Sequence, residues 1–186
     1  MLCRRALLEY ITPYWRRCRL AARHNCNTLY TVPMRHIVVI AHAPSPNTRR
    51  LKDAVMRGIA HPDIEAVEGR WVAPLEATAD DVLSADAVIL GTTENLGSMS
   101  GALKDFFDRS YYELLDHTDA LPFAFYIRAG RDGTGTRRGI ESITGGLRWK
   151  SVYEPLVCQG AFDPVFEEQC EELGLTIAAG VEAGLF

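Results

Sequence analysis

From about residue 34 onward, apolar positions follow two alternating rhythms. Short continuous runs rich in β-branched and aromatic residues occur at residues 36–41 (HIVVIA), 87–91 (AVILG) and 121–127 (LPFAFYI). Runs of that length and composition predict strands buried on both faces. Between and after them, apolar residues recur at helical spacing: Leu51, Ala54, Val55 and Ile59; Met99, Leu103, Phe106, Phe107, Tyr111 and Leu114; Ile140, Ile143 and Leu147; Phe166, Cys170, Leu173, Ile177 and Val181. Two poorer strands complete the pattern. Residues 64–72 carry Glu65, Glu68 and Arg70, and residues 151–158 contain Pro155, so both suit sheet edges. Residues 78–82 predict a short N-capped helix.

These elements alternate β-α five times. That predicts an α/β three-layer sandwich with a five-stranded parallel sheet and helices on both faces. Weak second and fifth strands around strong first, third and fourth strands suit the order 2-1-3-4-5. In that order the loops after the first, third and fourth strands lie side by side, outside the carboxyl ends of the strands, where an open sheet of this kind binds ligands.

All three loops are made of small and polar residues. The first contains Ser45-Pro46-Asn47-Thr48-Arg49, at the start of a predicted helix. Unpaired N–H groups and the positive end of a helix dipole suit a phosphate there. The same residues also make an ordinary turn and N-cap. The second loop follows the third strand as Thr92-Thr93-Glu94-Asn95-Leu96-Gly97-Ser98, with Ser98 and Ser100 as candidate N-caps of the next helix. The third, 128–135, holds Arg128, Ala129, Gly130, Arg131 and Gly133, and its glycines permit close approach of backbone to ligand. A mobile surface turn is the plain alternative for this loop. Neither G-x-G-x-x-G nor the P-loop pattern is present, which removes classical dinucleotide and ATP sites. No acidic pair follows the first strand and no aspartate ends the third, so a phosphate-accepting receiver domain is excluded. Residues 97–101 miss G-x-S-x-G by one position, and no His/Asp partner is placed.

Composition adds bounds. The 186 residues suffice for one domain with a core, and 47% apolar and 24% charged residues are ordinary for a globular protein. The cysteines at 3, 18, 26, 158 and 170 form no C-x-x-C pair and read as reduced thiols of a cytoplasmic protein. The scattered histidines give no zinc signature, so no metal is expected. No apolar run reaches membrane-spanning length. The net charge of −4 divides unevenly: residues 1–33 carry six arginines and one acid, which leaves −9 on the rest. An acidic body argues against a nucleic-acid partner. Residues 1–33 therefore stand apart from the domain at 34–186. They read as a gene-calling artefact ahead of Met34, an Arg-rich targeting peptide, or a basic surface-binding helix.

The stretch 91–109, GTTENLGSMSGALKDFFDR, resembles the G-T-P-x-Y-x-x-x-x-S-G-x-L-K-x-F-x-D-R segment of the flavodoxin-like NAD(P)H-dependent FMN and quinone reductases. Residues 100–109 match it very closely. Thr93 stands where proline is usual, and Glu94-Asn95-Leu96 carries no aromatic. Residues 45–49 resemble the end of that family's phosphate loop, and 128–135 corresponds in position to its glycine-rich loop. The resemblance implies a flavodoxin-like fold. It implies an FMN-dependent oxidoreductase passing electrons from NADH or NADPH to a quinone or similar small acceptor, and a homo-oligomer. It places the FMN phosphate at residues 45–49 and the ring between residues 92–98 and 128–135. Arg128 and Arg131 are then candidates for the nicotinamide cofactor's phosphates. No dedicated catalytic acid or base is required, because the cofactor carries the chemistry. Two alternatives remain: an electron-carrier flavodoxin, and a flavodoxin-like fold without flavin that binds a partner.

Overall fold

The computed structural model describes residues 33–186. The reading of residues 1–33 as an extension lies, apart from Pro33, outside the described residues. The first strand, β1 (Arg35–Ala41), is flanked by β2 (Val67–Val72) and β3 (Ala87–Asn95), both parallel to it. On its far side β3 pairs in parallel with β5 (Pro122–Ala129). Beyond β5 lie two short parallel pieces, β6 (Lys150–Ser151) and β7 (Leu156–Gln159). The order is β2-β1-β3-β5 followed by this outer pair, as expected for the flavodoxin-like arrangement.

Three details depart from the sequence reading. The last strand, predicted as one run over 151–158, is broken at residues 152–155, where Pro155 supplies no ladder N–H. The third strand does not stop at Gly91. It runs to Asn95 and folds back as a hairpin onto β4 (Ser98–Met99), pairing Glu94 with Met99 and Asn95 with Ser98. The two residues at its tip, Leu96 and Gly97, both have positive φ, 52° and 78°. Left-handed geometry at both central residues is the two-residue turn whose twist matches an antiparallel pair. Met99 is therefore a buried strand residue rather than the first apolar position of the next helix.

The helices are α1 (Pro46–Ile59), α2 (Ala79–Leu83), α3 (Gly101–Leu114), α4 (Thr134–Gly146) and α5 (Val165–Ala183). They divide between the two faces of the sheet. Ile37, Val39, Ile89, Ala124 and Tyr126 face α1 and α5 through Leu51, Val55, Leu173 and Ile177. Val38, Ile40, Val88, Leu90, Phe125 and Ile127 face the other three helices through Val82, Leu103, Phe106, Phe107 and Ile140. Each fully buried side chain of this size contributes about 1.5–3 kcal/mol. The inner strands are covered on both sides, which explains their unbroken apolar runs. Among the described residues, Cys158 and Cys170 are free and buried. No helix of the described residues is long and apolar enough to cross a membrane.

Candidate functional site

The carboxyl ends of β1, β3 and β5 put three loops on one rim. The ladder fixes this: Ala41 pairs with Gly91 and Gly91 with Tyr126. The N–H of His42 carries the β1–β3 pairing one residue further, donating to the Gly91 carbonyl at 2.9 Å.

In the first loop Ser45 caps α1. Its Oγ accepts from the Thr48 N–H at 3.3 Å, and Thr48 Oγ1 accepts from the Ser45 N–H at 2.9 Å. Pro46 follows at the first helical position, where its fixed φ suits the helix and its missing N–H costs nothing. The Ser45 and Thr48 hydroxyls are thus spent largely on one another. The Asn47 N–H, one residue further in, has no acceptor among the described residues. No acid stands in this first turn, and Asn47 and Arg49 are exposed on it. Positive dipole, free N–H and exposed guanidinium make this helix start attractive to an anion. Burial holds the half-buried His42 imidazole, just before this turn, below its ordinary value.

Trp71, at the end of the edge strand β2, braces the loop from outside. Its indole N–H donates to the Ala41 carbonyl at 3.1 Å, and the Lys52 ammonium lies 4.6 Å above its ring. The sequence reading passed over Trp71. The visible signal was a tryptophan next to the end of an edge strand that carries Glu68 and Arg70.

The second loop is built by its own hydroxyls. Thr92 Oγ1 accepts the Ser100 N–H at 3.0 Å and lies 3.2 Å from Ser100 Oγ. Ser100 Oγ in turn accepts from Leu103 N–H at 3.2 Å, capping α3. Ser100 is the cap; Ser98 sits in β4, exposed. Leu96, at the hairpin tip, is fully exposed.

Alternation along β3 sends Thr92 and Glu94 to the α4 face and Thr93 and Asn95 to the α1 face. On the α4 face the second and third loops close on each other. The Arg131 N–H donates to Glu94 Oε2 at 2.7 Å. A Cβ added at Gly135 would collide with the Gly97 carbonyl oxygen, and one at Gly139 would lie 3.0 Å from the Met99 methyl. Gly135, the last residue of the stretch 128–135 read as lining the ring, was not singled out within it.

In the third loop Gly133, with φ 71°, is the N-cap of α4, and Asp132 Oδ1 accepts the Thr134 N–H at 3.0 Å. Those bonds from Thr134 hold the Asp132 carboxyl below the usual carboxylate range. The Arg128 side chain turns to backbone carbonyls. Its guanidinium donates to the carbonyls of Ala129 at 2.7 Å, Cys158 at 2.9 Å and Gly160 at 2.5 Å, tying β5 to the end of β7. A planar five-donor fork suits several carbonyls at once. Arg131 engages the site through its backbone, while its side chain is exposed.

The residues present fit a flavin mononucleotide. An open anion-binding helix start, an unpartnered buried hydroxyl on Thr93 and unfilled space over Gly97 and Gly130 share this rim. Two recesses lie elsewhere. One of about 300 Å³ opens beside α4 and β7 and shares only Gly133 with the predicted site residues. Another of about 280 Å³ lies between β1, β2 and α2 and shares none.

The model of the NADPH-dependent FMN reductases matches residues 47–138, which take in the end of the first loop and all of the second and third. Over those residues, just under half of the chain, the chain is similar to the FMN reductase family. A flavodoxin from Aquifex aeolicus is 30% identical over 110 residues, which cover 59% of the chain and 58% of that flavodoxin. Among solved structures, a flavodoxin from the domain Archaea superposes with a TM-score of 0.68 at 18% identity, over 79% of the chain and 99% of its own. The WrbA-like flavodoxin from Agrobacterium tumefaciens gives 0.60 at 16%, over 81% and 98%. The match and the fold agree with the resemblance carried by residues 91–109.

Proposed function

We propose that this protein is an FMN-dependent oxidoreductase that takes electrons from NADH or NADPH and delivers them to a quinone or similar small acceptor. The observation that carries the reading is the convergence, on one rim, of a capped but anion-ready helix start with two loops locked to each other at Glu94 and Arg131. The start of α1, with Asn47, Thr48 and Arg49, would hold the phosphate. Thr92–Ser98 and the backbone of Ala129, Gly130 and Gly133 would hold the ring. FMN, when bound, supplies reversible one- or two-electron transfer.

The chain's own contribution is to position and insulate. Thr92 and Ser100 fix the hairpin, Glu94 fixes the third loop against it, and Trp71 steadies the phosphate turn from the sheet edge. Preorganised N–H groups beside a ring that gains charge stabilise its reduced form without reorganisation.

The flavodoxin relative favours a second reading, an electron carrier without direct nicotinamide chemistry. Two measurements separate the readings. Titrating purified protein with FMN, followed by flavin absorbance and fluorescence, should show saturable binding. Turnover with a quinone should then consume NADH or NADPH steadily. Binding without turnover supports the carrier. Absence of binding leaves a fold that serves only as a partner-binding protein.

A further inference from the structure

Among the described residues, two buried side-chain oxygens have no hydrogen-bond partner: Thr93 Oγ1 and Thr136 Oγ1. A folded chain rarely leaves such groups unpaired, because the hydrogen bond lost to water is not replaced. The two hydroxyls sit in different settings. Thr136 is wholly buried in the first turn of α4, on the same stripe as Ile140 and Thr144, which faces the sheet. Thr93 is a rim residue. It stands two residues past Gly91 on β3, only partly buried, on the α1 face of the sheet.

Its neighbours make their side-chain hydrogen bonds elsewhere. Thr92 spends its hydroxyl on Ser100, Glu94 spends a carboxylate oxygen on Arg131, and Arg128, its partner across the ladder, spends its guanidinium on three carbonyls. On the side where α1 begins, this strand end carries Thr93 and the exposed Asn95, and of the two only the Thr93 hydroxyl is both buried and without a partner. A rotation about χ1 exchanges the threonine hydroxyl with its methyl, a step between two staggered wells.

We infer that the Thr93 hydroxyl is a binding group for the flavin ring, an inference that rests on the reading of this rim as the FMN site. The hydroxyl is strained for want of a partner in the free protein and acquires one in the complex. That predicts opposite effects on the two states. Removing the hydroxyl relieves the free protein and weakens the complex, a combination that a purely structural threonine cannot produce.

The test uses the full chain, flavin-free, as wild type, Thr93→Val and Thr93→Ser. FMN and riboflavin are titrated by quenching of flavin fluorescence, and the free proteins are melted. Wild type should saturate with FMN. Thr93→Val should bind both flavins about three- to tenfold more weakly, the effect of one hydrogen bond, while its free form melts no lower than wild type. Thr93→Ser should bind within about twofold of wild type, because it keeps the hydroxyl that the neutral hydrogen bond needs. Equal FMN affinity in wild type and Thr93→Val overturns the proposal and leaves the FMN reading intact. So does a lower melting temperature of free Thr93→Val, which would show a partner within the protein. A loss seen with FMN but not with riboflavin overturns the assignment to the ring. No FMN binding by wild type overturns the reading of the rim, and the proposal with it.

Discussion

Tyr126 lies across Gly91. The two are partners in the β5–β3 ladder, and a Cβ added at Gly91 would collide with Cζ and Oη of the tyrosine and come within 2.7 Å of the Ala41 Cβ. The phenol thus spans from β5 over β3 toward β1, directly beneath the rim. Burial pushes its ionisation well above the ordinary range, so it stays neutral. Gly91, the first residue of the family segment, is glycine because this ring occupies its side-chain space. Gly91→Ala should therefore destabilise the protein by about 1–3 kcal/mol, the usual cost of overpacking a closed core. Urea unfolding measures this, and a midpoint unchanged from wild type contradicts the packing account.

Glu94 holds the third loop by one bond to the Arg131 N–H. Glutamine keeps an acceptor oxygen there, whereas alanine does not. Hydrogen exchange at the Arg131 amide should accelerate in Glu94→Ala and stay near wild type in Glu94→Gln. The bond is exposed, so global stability should change by less than about 1 kcal/mol. Equal exchange in all three proteins would remove Glu94 as the link between the loops.

Through Ala41, Trp71 braces the turn proposed to hold the phosphate. Trp71→Phe keeps an aromatic face for Lys52 and deletes the indole donor. The expected cost is about 1 kcal/mol of stability, the net worth of one such bond, together with weaker FMN binding. Riboflavin, which has no phosphate, should be affected less. A loss equal for both flavins would move the role of Trp71 away from the phosphate turn.

His42 links the rim to pH. Burial disfavours its protonated form in the folded protein, so the unfolded chain takes up that proton more readily below 6.5. Its contribution is fully present above that value and is lost as pH falls through the lower folded value. Melting temperatures across the acidic range should fall less steeply for His42→Gln than for wild type. Parallel pH profiles would show that another group governs the slope.

Local pattern carried much of this protein. The inner strands were legible because both faces are covered, which leaves an uninterrupted apolar run. A cap within residues 45–49 was legible, and Ser100 was one of two candidate caps beside Ser98, because a cap is a contact over three residues. The segment at 100–109 carried the family resemblance in plain sequence. The hairpin at Leu96-Gly97 was not legible, because its turn places a leucine in left-handed geometry that tertiary pairing of β3 with β4 imposes. Met99 was misplaced for the same reason: its burial is real, but strand pairing supplies it.

What the chain determined by itself was the order of its layers and which loops meet at one rim, because periodicity and β-α alternation are written in neighbouring residues. Which polar groups are spent and which remain free was decided only in three dimensions. Arg128 and Arg131 look equivalent in sequence, yet one guanidinium is consumed by carbonyls from β7 and the other is exposed. Thr92 and Thr93 are adjacent and chemically identical, yet strand alternation gives one a partner in Ser100 and leaves the other without one. A hydrogen bond depends on the distant group that arrives to accept it, and only the folded sheet settles which group that is.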